Sequence, residues 1–117
     1  MPYRGVLESL VRSVRGVRAA LMFDSVGEVV LEAGERADQH RLIGAYQGLA
    51  LAAARRTFER HAAGGIRYML CSYAGGRVIL RPLKDGYYLV LSLSADSDLP
   101  RGIHRSEGAQ ATMNAAL

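Results

Sequence analysis

The sequence predicts an α+β fold: a five-stranded antiparallel sheet with a long central helix on one face and the N- and C-terminal helices on the other, in the order α-β-β-α-β-β-β-α. Three observations lead there. Val17 to Asp24 is apolar on both sides, with Val17, Ala19, Leu21 and Phe23 on one and Ala20 and Met22 on the other. Such a strand belongs in the middle of a sheet covered on both faces. A long helical stretch, Asp38 to Ala63, separates two groups of strands, and the last three strands follow one another across turns far too short for parallel crossovers.

Leu7, Leu10, Val11 and Val14 recur at helical spacing, which makes Tyr3 to Arg15 an amphipathic helix ended by Gly16. After the Val17–Asp24 strand, Asp24-Ser25-Val26-Gly27 supplies turn chemistry. Glu28 to Ala33 alternates as a second strand with a partly wet face, as at a sheet edge. Gly34 to Ala37 is a polar loop, and Asp38 is the expected N-cap of the long helix, which Gly64-Gly65 ends. Ile66 to Ala74, Arg77 to Leu83 and Tyr87 to Ala95 then form three strands joined at Gly75-Gly76 and Lys84-Asp85-Gly86. Pro100 and Gly102 break the pattern, and a last helix runs from Ile103 to Leu117 on the sparse anchors Ile103, Met113 and Leu117.

Composition narrows the function classes. A chain of 117 residues, half of them apolar and 22% charged, is expected to form one domain (residues 1–117) with a hydrophobic core. Cys71 is the only cysteine, so an internal disulfide is impossible and a reducing, cytoplasmic setting is expected. Charges interrupt the N-terminal apolar residues as they would not in a signal peptide, and Gly48 to Ala54, the longest low-polarity run, is too short to span a bilayer. The net charge of +4 comes almost wholly from arginines scattered along the chain, with Lys84 the only lysine. No dense basic block interleaved with aromatics is present, so neither nucleic-acid binding nor membrane insertion is expected.

Catalytic and ligand-binding patterns are missing. His40, His61 and His104 lie far apart, form no helical metal-binding pair, and are expected at the surface. Cys71 sits mid-strand between Met69 and Tyr73, where a small hydrophobic residue is the usual occupant. Gly44-x-x-x-Gly48 lacks the Lys-Ser/Thr of a phosphate loop and falls inside a helix. No catalytic residue, metal site or cofactor is expected.

The long helix is instead apolar on both sides. At 100° per residue, Leu42, Tyr46, Leu49 and Ala53 form one stripe, and Leu51 and Phe58 point the opposite way among Gly44, Gln47, Gly48 and Arg55. With the first stripe assigned to the sheet, the second (Gly44, Gln47, Gly48, Leu51, Arg55, Phe58) becomes the expected partner face. The opposite phase, with Leu51 in the core, remains the alternative. A charge-poor third strand adds an expected dimer edge at Tyr68, Leu70 and Ser72.

Two stretches carry a resemblance to a known family. One is Val14-Arg15-Gly16-Val17-Arg18-Ala19-Ala20-Leu21-Met22-Phe23-Asp24, leading through Gly27-Glu28-Val29-Val30. The other is Leu80-Arg81-Pro82-Leu83-Lys84-Asp85-Gly86-Tyr87-Tyr88-Leu89-Val90-Leu91. With the alanine-rich helix between them, they resemble the Roadblock/dynein light chain domain family over nearly the whole chain to about Ala95. The C-terminal stretch is poorer in leucine than the family's usual last helix. The resemblance implies a non-enzymatic, dimeric regulator of a small Ras-like GTPase, of the bacterial MglB type, pairing with itself or a paralogue through third strands and long helices. An adaptor without effect on GTP hydrolysis is the alternative reading, and a small-ligand sensor a distant third.

Overall fold

A computed structural model describes residues 2–117. In chain order the elements are α1 (Pro2–Ser13), β1 (Val17–Phe23), β2 (Val29–Gly34), α2 (Asp38–Arg60), β3 (Met69–Tyr73), β4 (Gly76–Pro82), β5 (Tyr88–Ser94) and α3 (Leu99–Ala116). The five strands form one antiparallel sheet in the order β2-β1-β5-β4-β3, with α2 on one face and α1 and α3 on the other. This is the expected architecture.

The pleat of the two central strands divides the core. In β1 and β5, Ala20, Met22, Leu89, Leu91 and Leu93 turn toward α1 and α3, where Leu7, Leu10, Ala109 and Met113 meet them. Ala19, Leu21, Phe23, Tyr88 and Val90 turn the other way, toward α2. Register follows the same logic, with Leu21 opposite Val90 and Phe23 opposite Tyr88. The predicted turn after β1 is built by Asp24, whose Oδ1 accepts from the backbone N–H groups of Val26 and Glu28, each at 3.0 Å.

Several boundaries differ from those read off the sequence. Helix α3 begins at Leu99, because the Asp98 carboxylate caps it by accepting from the Arg101 N–H at 3.2 Å. Pro100 falls in the first turn, where its missing N–H is no loss, and Gly102 is buried against Leu93 and Ile79. Neither therefore breaks the helix. Asp38 is not the N-cap of α2 but its first residue; Ala37 occupies the cap, and the Asp38 carboxylate accepts from Arg41 at 3.3 Å instead. Strand β3 is shorter than Ile66–Ala74, since the ladder to β4 starts only at Met69 opposite Leu80.

Helix α3 is held to α1 in antiparallel fashion. The Tyr3 hydroxyl donates to the Ala116 carbonyl at 2.9 Å, and Arg101 Nε donates to the Ser13 carbonyl at the other end. A leucine-poor helix thus docks through one fully buried methionine, Met113, and through polar ties.

Candidate interaction surface

Helix α2 lies over β1, β5 and β4 with the opposite rotational phase to the one first assigned. Leu51 is 2% exposed in the core against the sheet, whereas Leu42, Tyr46 and Leu49 are 56%, 68% and 69% exposed. Gly44 and Gly48 also face the sheet. A β-carbon on Gly44 would stand 2.5 Å from the Phe23 ring, and one on Gly48 would stand 2.2 Å from the Tyr88 hydroxyl oxygen. Only glycine lets the helix backbone come this close to two aromatic rings. The partner face expected at Gly44, Gln47, Gly48, Leu51, Arg55 and Phe58 is therefore corrected. Gly44 and Leu51 are buried, Gln47, Gly48 and Arg55 are half-buried, and of the six only Phe58 is exposed.

The exposed stripe borders a crevice of about 240 Å³ between α2 and the β1–β2 turn, with Val26, Tyr46 and Leu49 on its rim and Tyr88 at its base. Burial pushes the Tyr88 hydroxyl up to about 12, with the Asp24 carboxylate adding to the shift, and its O–H donates to the Gly44 carbonyl at 3.3 Å. At the sheet's far side β3 is an edge strand. Leu70 and Ser72 stand in it, exposed, while Tyr68 precedes the ladder and is not part of the strand. Its ring instead lies over the Arg81 guanidinium, 4.8 Å from carbon to centroid.

Arg81 is a feature the strand pattern hid. It is 2% exposed and makes no ion pair among the described residues. Its Nε donates to Ser106 Oγ at 2.7 Å, and its remaining nitrogens donate to the carbonyls of Ile103 and Arg67 and to Gln110 Oε1. Burial lowers its pKa, and the ring of acceptors is what makes a buried cation tolerable. It joins β4 to α3 and to the segment entering β3.

His40 is buried rather than at the surface, while His61 and His104 are exposed as expected. Its Nδ1 meets Ser92 Oγ and its Nε2 meets Glu35 Oε2, both at 2.9 Å. The three residue types are those of a hydrolytic triad, but the serine hydroxyl is sealed beneath α2, so the arrangement fastens the first turn of the helix to β5. Among the described residues no group of three or more His, Cys, Asp or Glu side chains is placed to hold a metal, and no helix is long and apolar enough to cross a membrane.

A sheet in the order β2-β1-β5-β4-β3, with one helix on one face and two on the other and an open edge beside an apolar helix, defines this class of α+β domain. The chain belongs to the Roadblock/LC7 domain family, whose model matches residues 5–92. Solved structures agree. A Roadblock/LC7 domain from Streptomyces avermitilis superposes with a TM-score of 0.84 at 14% identity, over 97% of this chain and 95% of that one. Myxococcus xanthus MglB gives 0.83 at 12% identity, over 98% and 86%, and MglC from the same organism gives 0.71 at 24% identity, over 100% of both. At these identities the likeness is one of fold. No curated protein matches the sequence significantly.

Proposed function

We propose that the protein is a dimeric, non-enzymatic regulator of a small Ras-like GTPase. The observation that carries this reading is the outer face of α2, where Leu42, Tyr46 and Leu49 stand more than half exposed beside a crevice. Large apolar groups clustered in this way mark a binding face. Family membership and the likeness to MglB support a GTPase as the partner. The working face is the stripe of Leu42, Tyr46 and Leu49, which replaces the glycine-lined side.

The dimer is formed through β3. Tyr68, Leu70 and Tyr73 are exposed along or beside this edge, and an apolar edge strand left open invites aggregation. Pairing two such edges and the neighbouring ends of α2, where Phe58 is exposed, buries on the order of 1,600 Å².

Measuring GTP turnover by purified small Ras-like GTPases of the organism that carries this gene, with and without the protein, tests the reading. Faster turnover that Leu49→Asp abolishes is expected. Tight binding with unchanged turnover would make the protein an adaptor, and no binding at all would sink the proposal.

A further inference from the structure

The sheet has two edges, and they differ in charge. β3 carries no charged residue along Met69–Tyr73, whereas β2 borders an open cleft of about 440 Å³ whose charged lining is Arg4, Arg36, Arg41 and a single acid, Glu32. Arg4 stands on α1 at one face of the sheet and Arg41 on α2 at the other, with Arg36 in the loop between β2 and α2. The neighbouring carboxylates are already engaged. Glu32 and Asp38 accept from Arg41, and Glu35 meets His40. Glu28 is exposed at the start of the strand but does not line the cleft. Arg4 and Arg36 are exposed or half-buried and form no ion pair among the described residues, so the cleft keeps two cations unanswered.

The backbone of β2 sets the shape of what can fill it. The Glu35 N–H donates to the Arg18 carbonyl at 2.8 Å, and the Asp24 N–H donates to the Glu28 carbonyl at 2.9 Å. Bonded pairs alternate along an antiparallel ladder, so Leu31 opposite Met22 and Ala33 opposite Ala20 turn their peptide groups toward β1. The N–H and C=O of Glu32 and the N–H of Gly34 then point outward, away from the sheet, where no group of the described residues meets them. Beside them Val30, left out of register by a bulge, is 42% exposed.

We propose that the β2 edge binds a short acidic segment of a partner protein as an added strand. An extended chain can satisfy the row of free peptide groups, which a helix, bonded internally, cannot. Its side chains alternate between the two faces, so acids on one side meet Arg4 and acids on the other meet Arg36. A second copy of this chain is a poor occupant, since its β2 brings the same surplus of arginine and its β3 brings no acid. The inference rests on this edge and does not depend on the GTPase reading.

The test uses the whole protein and a fluorescent peptide of about ten residues, rich in Val and Thr with Glu on both faces of the extended chain, read by anisotropy. The wild type binds it saturably, and the Glu32 and Gly34 amide hydrogens become protected from exchange in the complex. N-methylating the peptide at alternate residues abolishes binding for one set of positions and spares it for the other. Arg4→Glu and Arg36→Glu, both folded by circular dichroism, each weaken binding at least about tenfold, and Arg105→Glu, the same charge change on α3, leaves it unchanged. Undiminished binding to both Arg4→Glu and Arg36→Glu would overturn the proposal. So would an equal loss in Arg105→Glu, tolerance of both N-methylated peptides, or absence of binding to the wild type at about 100 µM.

Discussion

The rings of Phe23 and Tyr88 lie face to face across β1 and β5, with centroids 5.0 Å apart and planes 3° from parallel, and each rests beneath a glycine of α2. A flat aromatic pair under a helix leaves room only for residues without side chains, so the pair fixes which side of α2 turns inward. The same turn of the helix sends Leu51 into the core and Leu49 into solvent.

Four substitutions on α2 follow from that phase. Gly48→Ala should destabilise the protein by about 1–3 kcal/mol, because a methyl group cannot share the position of the Tyr88 hydroxyl. Gly44→Ala meets Phe23 and should do the same. Leu51→Asp should unfold the domain, since it strands a carboxylate in an apolar core. Leu49→Asp should stay within about 0.5 kcal/mol of wild type. Urea unfolding followed by circular dichroism separates the four.

The proposed dimer has a definite register. A two-fold axis perpendicular to a sheet preserves its faces, so an edge strand paired with itself must place one residue opposite its own copy. If all five residues of β3 are used, that residue is Cys71, the centre of Met69–Tyr73. Directly opposed residues have β-carbons about 5 Å apart. Because Cys71 is the only cysteine, a short bismaleimide should convert the protein to a covalent dimer, and Cys71→Ser should abolish the product. Absence of cross-linking in a sample that sediments as a dimer would place the axis elsewhere.

Tyr88 should make the protein sensitive to alkali. Its hydroxyl is held protonated up to about 12 in the fold but ionises near its ordinary value of 10.0 once unfolded. The folded pKa is raised, so the stabilisation is complete below pH 10 and is lost as pH climbs between those two values. Tyr88→Phe should be less stable at neutral pH, by about 1 kcal/mol for the bond to Gly44. Its stability should nevertheless decline less steeply above pH 10, which thermal melts across that range would reveal.

At the other end of the scale, the Glu32 carboxylate is held below its usual 4.5, chiefly by its hydrogen bonds from Arg41, which also adds charge attraction. The folded pKa is depressed, so this pair contributes above the ordinary glutamate range and fades as pH falls through the lowered value. Glu32→Gln should therefore lower the melting temperature at pH 7 and converge with wild type in acid. Equal differences at both pH values would remove the assignment.

Most of the fold could be read from the chain because the strands announce themselves. β1 and β5 are apolar on both faces and the turns carry glycine, aspartate or both, which leaves one sheet and few ways to cover it. The rotation of α2 was harder, because both of its sides carry leucines. The deciding signal lay elsewhere: Leu42, Tyr46, Leu49 and Ala53 continue at helical spacing into Arg56 and Arg60, as a solvent face would, and the aromatic rings on β1 and β5 require glycines above them. Arg81 and His40 were illegible for a different reason. Their hydrogen-bond partners come from Ser106, Ile103, Glu35 and Ser92, and only the folded chain brings these together.

The lone cation at Arg81 also bears on how the molecule comes apart. Its acceptors are divided between α3 and the stretch before β3, so neither can leave without abandoning a charge in a dry place. The terminal helix is thus no detachable latch. Amide hydrogens in α3 and in β4 should exchange on one shared timescale, that of global opening, and a partner that grips the β3 edge should slow exchange in the last helix on the far side of the sheet.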